Sequence, residues 1–316
     1  MARVGIIMDP IADIKPYKDT SFRLALEAQA RGHDLLYMEL KDLFVNAGVA
    51  YGSVRSLAVT DRNTDFYTLG ERETVKLGDI DMLIMRKDPP FDIEFVYATH
   101  ILDLAQRDGA LVANRPQSLR DCSEKLYTAW FPELIPATLV TRSAEQIRAF
   151  HAEHKNIILK PLDGMGGASI FKVSEDGGNL GVIIETLTAM GTRYAMAQEY
   201  LPAITDGDKR ILIINGEPMP YSLARVPSAG ETRGNLAAGG SGRPQPLSDS
   251  DWALARAIGP ELKEKGLFLV GLDVIGDRIT EINVTSPTCM REIEAAYSIN
   301  IAAKFFEALE AELERK

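Results

Sequence analysis

Asp273, Glu281 and Asn283 lie close together in the string GLDVIGDRITEINV, Gly271 to Val284. All three offer oxygen, the donor that a hard cation such as Mg²⁺ selects. Glu281 and Asn283 share one face by the strand's period of two. The face of Asp273 is a question of register. A two-residue turn at Gly276-Asp277 sends it to the opposite side, whereas a three-residue turn ending at Arg278 sets it across from Glu281. The odd-length turn is expected. Ile282 and Val284 imply that the other face is core, so the carboxylates should line a cleft instead of a solvated strand. Magnesium held by one or two carboxylates keeps waters and takes its remaining ligands from a nucleotide's phosphates, so the cation itself points to ATP; Mn²⁺ is the alternative occupant.

The run LKPLDGMGGASIF, Leu159 to Phe171, is rich in glycine but fits neither familiar nucleotide loop. A Rossmann loop runs from a strand into a helix, and here a strand follows; the GxxxxGK[ST] spacing is absent as well. What remains is a hairpin flap in which Gly164, Gly166 and Gly167 let backbone N–H groups approach phosphate oxygens, with Lys160 supplying positive charge at the strand's end. Taken alone, a plain turn would explain the segment equally well. Arg210, in DGDKRILIING, and Arg225, ending YSLAR, are forked cations suited to a transferring phosphoryl group and to bidentate contact with a carboxylate, although a surface ion pair would explain either one alone. The string Thr285-Ser286-Pro287-Thr288 reads as a helix start, with Ser286 as cap and Pro287 at the first helical position; such a start can receive a carboxylate, though a cap alone is the commoner explanation.

These groups need a frame. Val4–Met8 reads as a buried strand, Ser21–Arg31 as an amphipathic helix and Asp34–Glu39 as a strand, an α/β opening. Residues 52–78 show no clear periodicity. Asp81–Arg86 then reads as a strand, Ile93–Gln106 as a helix and Ala110–Ala113 as a strand, so the first lobe should close near Cys122. From Ile157 the strands Ile157–Lys160, Ser169–Val173, Tyr194–Tyr200, Arg210–Ile214 and Pro218–Arg225 follow at short turns, the pattern of an antiparallel sheet. Ser228–Gly242 is small, polar and without an apolar stripe, and is expected to be a mobile surface loop. A helix at Asp251–Lys265, the hairpin Leu267–Val284 and a charged helix near Ala302–Arg315 complete the chain.

Length and composition narrow the function. At 316 residues the chain is longer than one compact core usually grows, so two or three lobes with a cleft between them are expected. Hydrophobic residues at 46% and charged residues at 25% exclude the disordered and membrane classes. A net charge of −10 disfavours nucleic acid. Cys122 and Cys289 stand far apart with no CxxC spacing, which argues against a zinc site and fits a reducing compartment. His151 and His154 fall on an apparent surface helix with no acidic third ligand, a weak candidate for metal. The opening MARVGIIMDP is too short an apolar run for a signal peptide or membrane span, so a cytoplasmic location is expected.

Taken in order, MDPIADIK, MRKDPPFD, NRPQSLRDCSEKLYTAWFPEL, LKPLDGMGGASIF, MAQEYLPAITDGDKR, ETRGNLAAGG and GLDVIGDRITEINVTSPT resemble the ATP-grasp superfamily and, within it, the bacterial glutathione synthetases. The resemblance covers nearly the whole chain. It implies an α/β (α+β) ATP-grasp fold in three parts: a Rossmann-like N-terminal domain over 1–122, a central lobe over 123–200, and a C-terminal lobe over 201–316 carrying the catalytic loop and magnesium site. It implies that Lys125, Lys160 and the three flap glycines contact ATP phosphates. Gln198, Glu199, Tyr200 and Leu201 would form the hinge at adenine, and Asp208 would lie beside the nucleotide. Asp273, Glu281 and Asn283 match the metal ligands, and Arg210 and Arg225 the cations at the reacting carboxylate.

The implied reaction joins γ-glutamylcysteine to glycine through an acyl phosphate, with ATP as co-substrate. Arg86, at the C-terminal end of a first-lobe strand, is expected to hold the dipeptide's glutamyl end, with an interdomain ion pair as the alternative. Ser286, Arg233 and Gly240 are the other expected substrate contacts. The loop 228–242 and the flap 164–167 are expected lids against water. The resemblance also implies a homotetramer. Two other readings are a related carboxylate–amine ligase, such as a D-alanine–D-alanine ligase type, and a regulatory ATP-binding protein resembling synapsin. The full-length likeness speaks against the first, and the complete set of lysines, arginines and carboxylates against the second.

Overall fold

The computed structural model describes residues 1–315 except 229, 232 and 235–238. Three sheets follow one another along the chain. The first contains β1 (Arg3–Met8), β2 (Asp34–Met38), β3 (Leu43–Asn46), β4 (Val49–Val59), β5 (Tyr67–Lys76), β6 (Met82–Arg86) and β7 (Leu111–Ala113). Its order is β3-β4-β2-β1-β6-β7, with β5 paired to β4. β2, β1, β6 and β7 run parallel, and the continuous apolar runs in β1 and β6 suit strands covered on both faces. The helices here are α1 (Thr20–Ala30), α2 (Ile93–Arg107) and α3 (Pro116–Asp121). Asp19 and Asp92 cap the first two by accepting the amides of Phe22 and Phe95.

The second sheet, in the order β10-β9-β11-β8, is antiparallel throughout. It comprises β8 (Thr138–Thr141), β9 (Ile157–Pro161), β10 (Phe171–Val173) and β11 (Ala195–Glu199), packed with α4 (Ala144–His154) and α5 (Leu180–Thr188). The third, in the order β14-β13-β12-β15-β16, is also antiparallel. It holds β12 (Asp208–Ile214), β13 (Glu217–Val226), β14 (Ser241–Pro246), β15 (Leu269–Ile275) and β16 (Arg278–Asn283), with α6 (Asp249–Glu264), α7 (Met290–Tyr297) and α8 (Ile301–Leu313). The strands expected to share one sheet from Ile157 onward therefore divide between two. The stretch 52–78, which showed no periodicity, is most of a long hairpin of β4 and β5.

The apolar interior does not divide as the sheets do. One cluster joins Ile7, Leu83 and Phe95 to Ile211, Val270 and Ile282. A second joins Ile6 and Phe22 to Leu212, Phe305 and Phe306. The cluster containing Ile147, Ile157, Leu159, Ile184 and Ala197 draws only on the middle of the chain. Ion pairs reinforce the second of these junctions: Arg23 meets Glu294 at 2.5 Å and Arg31 meets Glu310 at 2.7 Å, linking α1 to α7 and α8.

Candidate active site

The third sheet builds the acidic site. β15 and β16 pair Gly271 with Asn283, Leu272 with Ile282 and Asp273 with Glu281; beyond that point Val274 pairs with Ile279 and Ile275 with Arg278. Asp273 therefore faces Glu281 as expected, but the odd-length turn is wrong. The turn is the two-residue Gly276-Asp277, with Gly276 at φ +61°, the positive φ required at the first central position of a type II′ hairpin turn. A β-bulge at Thr280 inserts the extra residue and restores the parity that brings Asp273 and Glu281 to one side.

β12 lies beside this hairpin and supplies the positive charge. Arg210 pairs across the strands with Asp273, and Asp208 with Arg225 of β13. Arg210 donates to Asp273 through Nε at 2.5 Å and Nη2 at 3.0 Å, a bidentate fork. Arg225 reaches the same carboxylate at 2.8 Å and also donates to Asp208 Oδ2. Asp273, Arg210 and Arg225 are 1%, 5% and 4% exposed, so their charges are held by one another and not by water. Burial pushes the Asp273 carboxyl upward, but Arg210 and Arg225 outweigh it and hold that group well below the usual carboxylate range. Asp208 ends at about 6, because burial dominates over Arg225. Its Oδ1 is buried without a hydrogen-bond partner, an acceptor left for a ligand. Gly271 makes room for the cluster: a Cβ there would stand 2.9 Å from Arg210 Cδ.

Two lysines face the hairpin from the linker and the second sheet. Lys125 Nζ donates to Glu281 Oε1 at 2.8 Å and to the Gly164 carbonyl at 2.6 Å. Burial lowers its affinity for a proton, but Glu281 more than offsets this and keeps it an ammonium. Lys160 Nζ, 3.3 Å from the Thr280 carbonyl, is pushed down to about 8 by burial, with the neighbouring charge of Lys125 adding to the fall. The glycine-rich run joins β9 to β10 as a hairpin, and Gly166 and Gly167 adopt φ of +63° and +83°. Arg233 Nη1 donates to the Gly167 carbonyl at 3.2 Å, so described residues of the 228–242 loop touch the flap. Six of the fifteen residues of the expected lid, 229, 232 and 235–238, lie outside the described residues, and its last two belong to β14.

A cleft of about 420 Å³ collects these groups. Lys125, Lys160, Gly164, Gly166 and Gly167 line it, as do Gln198, Glu199, Tyr200 and Leu201 at the chain's passage from the second sheet to the third. Asp208, Arg210, Arg225 and Arg233 contribute from the third sheet and its loop, with Glu281, Asn283 and Ser286 from the hairpin and the segment after it. Asp273 stands behind the two arginines, outside the lining. Gly240 is also outside it. The cleft further includes Lys18, Asp19, Asp88, Glu124 and Glu292, which the sequence did not single out. Only Glu124 had a pointer, as the neighbour of Lys125.

Arg86 is not among the lining residues. It is 4% exposed, and its Nε donates to Ser21 Oγ at 3.1 Å while Nη2 donates to the Pro287 carbonyl at 2.8 Å. Its place in the fold is a latch between the first lobe and the chain after β16; no carboxylate lies within ion-pair distance among the described residues. Arg86→Ala leaves the carbonyl and hydroxyl without this donor, so a loss of about 1–3 kcal/mol in urea unfolding is expected. A variant of unchanged stability but weakened dipeptide binding would return Arg86 to the substrate.

The expected helix start also differs. α7 begins at Met290 with Cys289 as N-cap, and Ser286 instead donates to the Arg86 carbonyl at 3.2 Å. Arg86 thus uses both its guanidinium and its carbonyl on 286–287, holding that segment outside the helix. His151, expected on a surface helix, is buried and hydrogen bonds with the Ser174 carbonyl through Nε2 at 2.8 Å.

The donor set at the hairpin fits a hard divalent cation bound in partnership with a substrate. Asn283 Nδ2 donates to the Gly271 carbonyl at 3.1 Å, which leaves its Oδ1 as the free acceptor. Glu281 holds an ammonium in its place, and Asp273 would have to share its oxygens with the arginines. Among the described residues no group of three or more His, Cys, Asp or Glu could hold a metal on protein ligands alone. Such a partial cage is the kind that Mg²⁺ completes with water and phosphate.

Comparison with known proteins gives a consistent result. Residues 2–120 match the family model of the prokaryotic glutathione synthetase N-terminal domain, and residues 124–298 that of its ATP-grasp domain. Glutathione synthetase of Salmonella typhimurium strain LT2 is 61% identical over 313 residues, covering 99% of each chain. That of Escherichia coli K12 is 59% identical over 316 residues, covering 100% of both. Among solved structures, the D-cycloserine synthetase DcsG superposes with a TM-score of 0.69 at 12% identity, covering 98% of this chain and 99% of that one. A Chryseobacterium gregarium RiPP-associated ATP-grasp ligase gives 0.65 at 14% identity over 99% and 97%. These two show the fold alone.

Proposed function

We propose, from the premise that the chain belongs to the prokaryotic glutathione synthetase family, that its cleft joins γ-glutamylcysteine to glycine at the expense of ATP. The chain is an ATP-dependent ligase of the glutathione synthetase type, with the ATP-grasp fold and a dependence on a divalent metal. The observation that best supports the finer reading is the buried Arg210–Asp273–Arg225 cluster set beside Lys125 and Lys160 in one cleft. We take residues 1–122, 123–200 and 201–316 as its three lobes, the enzyme as a cytoplasmic homotetramer, and Mg²⁺ as the metal, with Mn²⁺ able to replace it. Among the described residues no helix is long and apolar enough to cross a membrane.

A carboxylate is a poor electrophile, so the reaction begins by giving it a better leaving group. An oxygen of the cysteinyl carboxylate attacks the γ-phosphorus of ATP, the bond to the β,γ-bridging oxygen breaks, and ADP departs with that electron pair. The glycine amine then attacks the acyl carbon, the bond to the phosphoryl oxygen breaks, and phosphate leaves; the amine loses its proton as the amide forms. In this scheme Arg210 and Arg225 orient the carboxylate and neutralise charge that spreads over the transferring phosphoryl oxygens. Lys125 and Lys160 hold the phosphates, and the flap at Gly164–Gly167 covers them with backbone N–H groups and excludes water. Glu281 and Asn283, with Asp273 behind them, would hold the metal, whose chemistry when bound is to neutralise and align the phosphates. Gln198 to Leu201 would meet the adenine, with Asp208 beside the nucleotide, and Ser286, Arg233 and Gly240 would contact substrate.

Phosphate release from ATP tests this directly. Turnover is expected with γ-glutamylcysteine and glycine together, and not with alanine pairs or with ATP alone. Release at equal rates without glycine would point to another carboxylate–amine ligase or to a protein that only binds nucleotide.

A further inference from the structure

We infer that Glu124 is a positioning residue, strapping the end of β16 to the segment that carries Lys125 and so fixing the metal-side and phosphate-side groups relative to each other. One oxygen, Oε1, accepts three hydrogen bonds: from the Val284 amide at 2.9 Å, the Thr285 amide at 3.0 Å and the Thr285 hydroxyl at 2.8 Å. The Glu124 backbone carbonyl accepts a fourth, from the Ile282 amide at 2.9 Å.

β16 ends at Asn283, so the amides of Val284 and Thr285 lie beyond the strand ladder and need another acceptor. Asn283 is thereby held from both sides. Its side chain is pinned to the Gly271 carbonyl across the sheet, and the next two residues are pinned to Glu124. Lys125 follows Glu124 directly and spans from Glu281 to the flap carbonyl of Gly164. Residues some 160 positions apart in sequence are thus registered by a single side chain. Groups of this kind, one step removed from the ligands, commonly decide whether a metal site forms, because they fix ligand orientation before the ion arrives.

This inference rests on the proposed metal-side role of Glu281 and Asn283, so its test reads metal binding separately from turnover. The probe is Mn²⁺, titrated with ADP present and followed by the electron spin resonance of the free ion, on the full chain. For Glu124→Ala, half-saturation is expected to rise about tenfold or more and kcat to fall about 10- to 100-fold. Amide exchange across 282–286 should accelerate. Glu124→Gln keeps an acceptor oxygen in the same place and is expected to recover most of the Mn²⁺ affinity.

Unchanged Mn²⁺ affinity in Glu124→Ala, or a glutamine variant as impaired as the alanine one, would overturn the inference. If the alanine variant does not fold, Thr285→Val removes only the hydroxyl donor. A rise of about two- to threefold in half-saturation is then expected, and none would overturn the assignment. Failure of the unaltered protein to bind Mn²⁺ with ADP would instead sink the metal-site reading on which this rests.

Discussion

Arg225→Lys is expected to give a folded protein whose kcat has fallen by at least about a hundredfold, the scale on which loss of one preorganised charge donor is felt. The guanidinium of Arg225 serves two carboxylates, Asp273 at 2.8 Å and Asp208. A lysine keeps the charge but offers a compact ammonium, which cannot reproduce a planar fork aimed at both. Burial opposes the charge of Arg225, yet Asp208 and Asp273 more than compensate and raise its hold on the proton. Arg225→Ala should do something different. With its main cation gone, Asp208 becomes an uncompensated buried carboxylate, and a loss of about 3–5 kcal/mol in stability is expected on top of the catalytic defect. Thermal unfolding beside steady-state kinetics separates the two variants. A lysine variant with near-normal kcat would show that this guanidinium serves the fold and not the phosphoryl group.

Glu281→Gln should be the most damaging isosteric change at the site, with an expected fall in kcat of about 10³ and a markedly raised requirement for metal. Glu281 is the one hairpin carboxylate that both lines the cleft and bonds Lys125. Its neutral counterpart would weaken cation binding and withdraw the partner that keeps Lys125 charged and in place. The measurement is the dependence of rate on Mg²⁺ concentration. If kcat drops while half-saturation stays fixed, Glu281 acts through Lys125 alone and the metal-ligand role is wrong.

Much of this was legible in the sequence because the elements obey simple periods. The parallel strands β1 and β6 are largely apolar runs, α1 shows an amphipathic period, and the residues of the cleft stand in short distinctive strings. What escaped had a physical reason. In β4 the buried face is first Ala50, Gly52 and Val54, then Leu57 and Val59, because a bulge near Ser56 changes the phase. Two of those residues are too small to signal a core, so no alternation could be seen. The hairpin at β15 and β16 shows the same cause with the opposite result. Parity counted from the turn gives the wrong facing for Asp273, and the bulge at Thr280 corrects it. Arg86 looked like a ligand group because of its position at a strand's end, but which atoms it reaches depends on the fold of residues 286–287.

The way the apolar clusters are shared has a consequence for motion. The first and last thirds of the chain are welded by two common interiors and by the ion pairs of α1, so together they form an anvil. Residues 137–199 keep an interior of their own, the arrangement expected of a jaw that swings on the segments at either end. Arg210, Arg225 and the acidic hairpin belong to the anvil, so under the proposed reaction the carboxylate's place would stay intact if the jaw opened. In the proposed reaction only the grip on the nucleotide would be remade in every cycle, and the links from Lys125 to Gly164 and from Lys160 to Thr280 are clasps that would have to part.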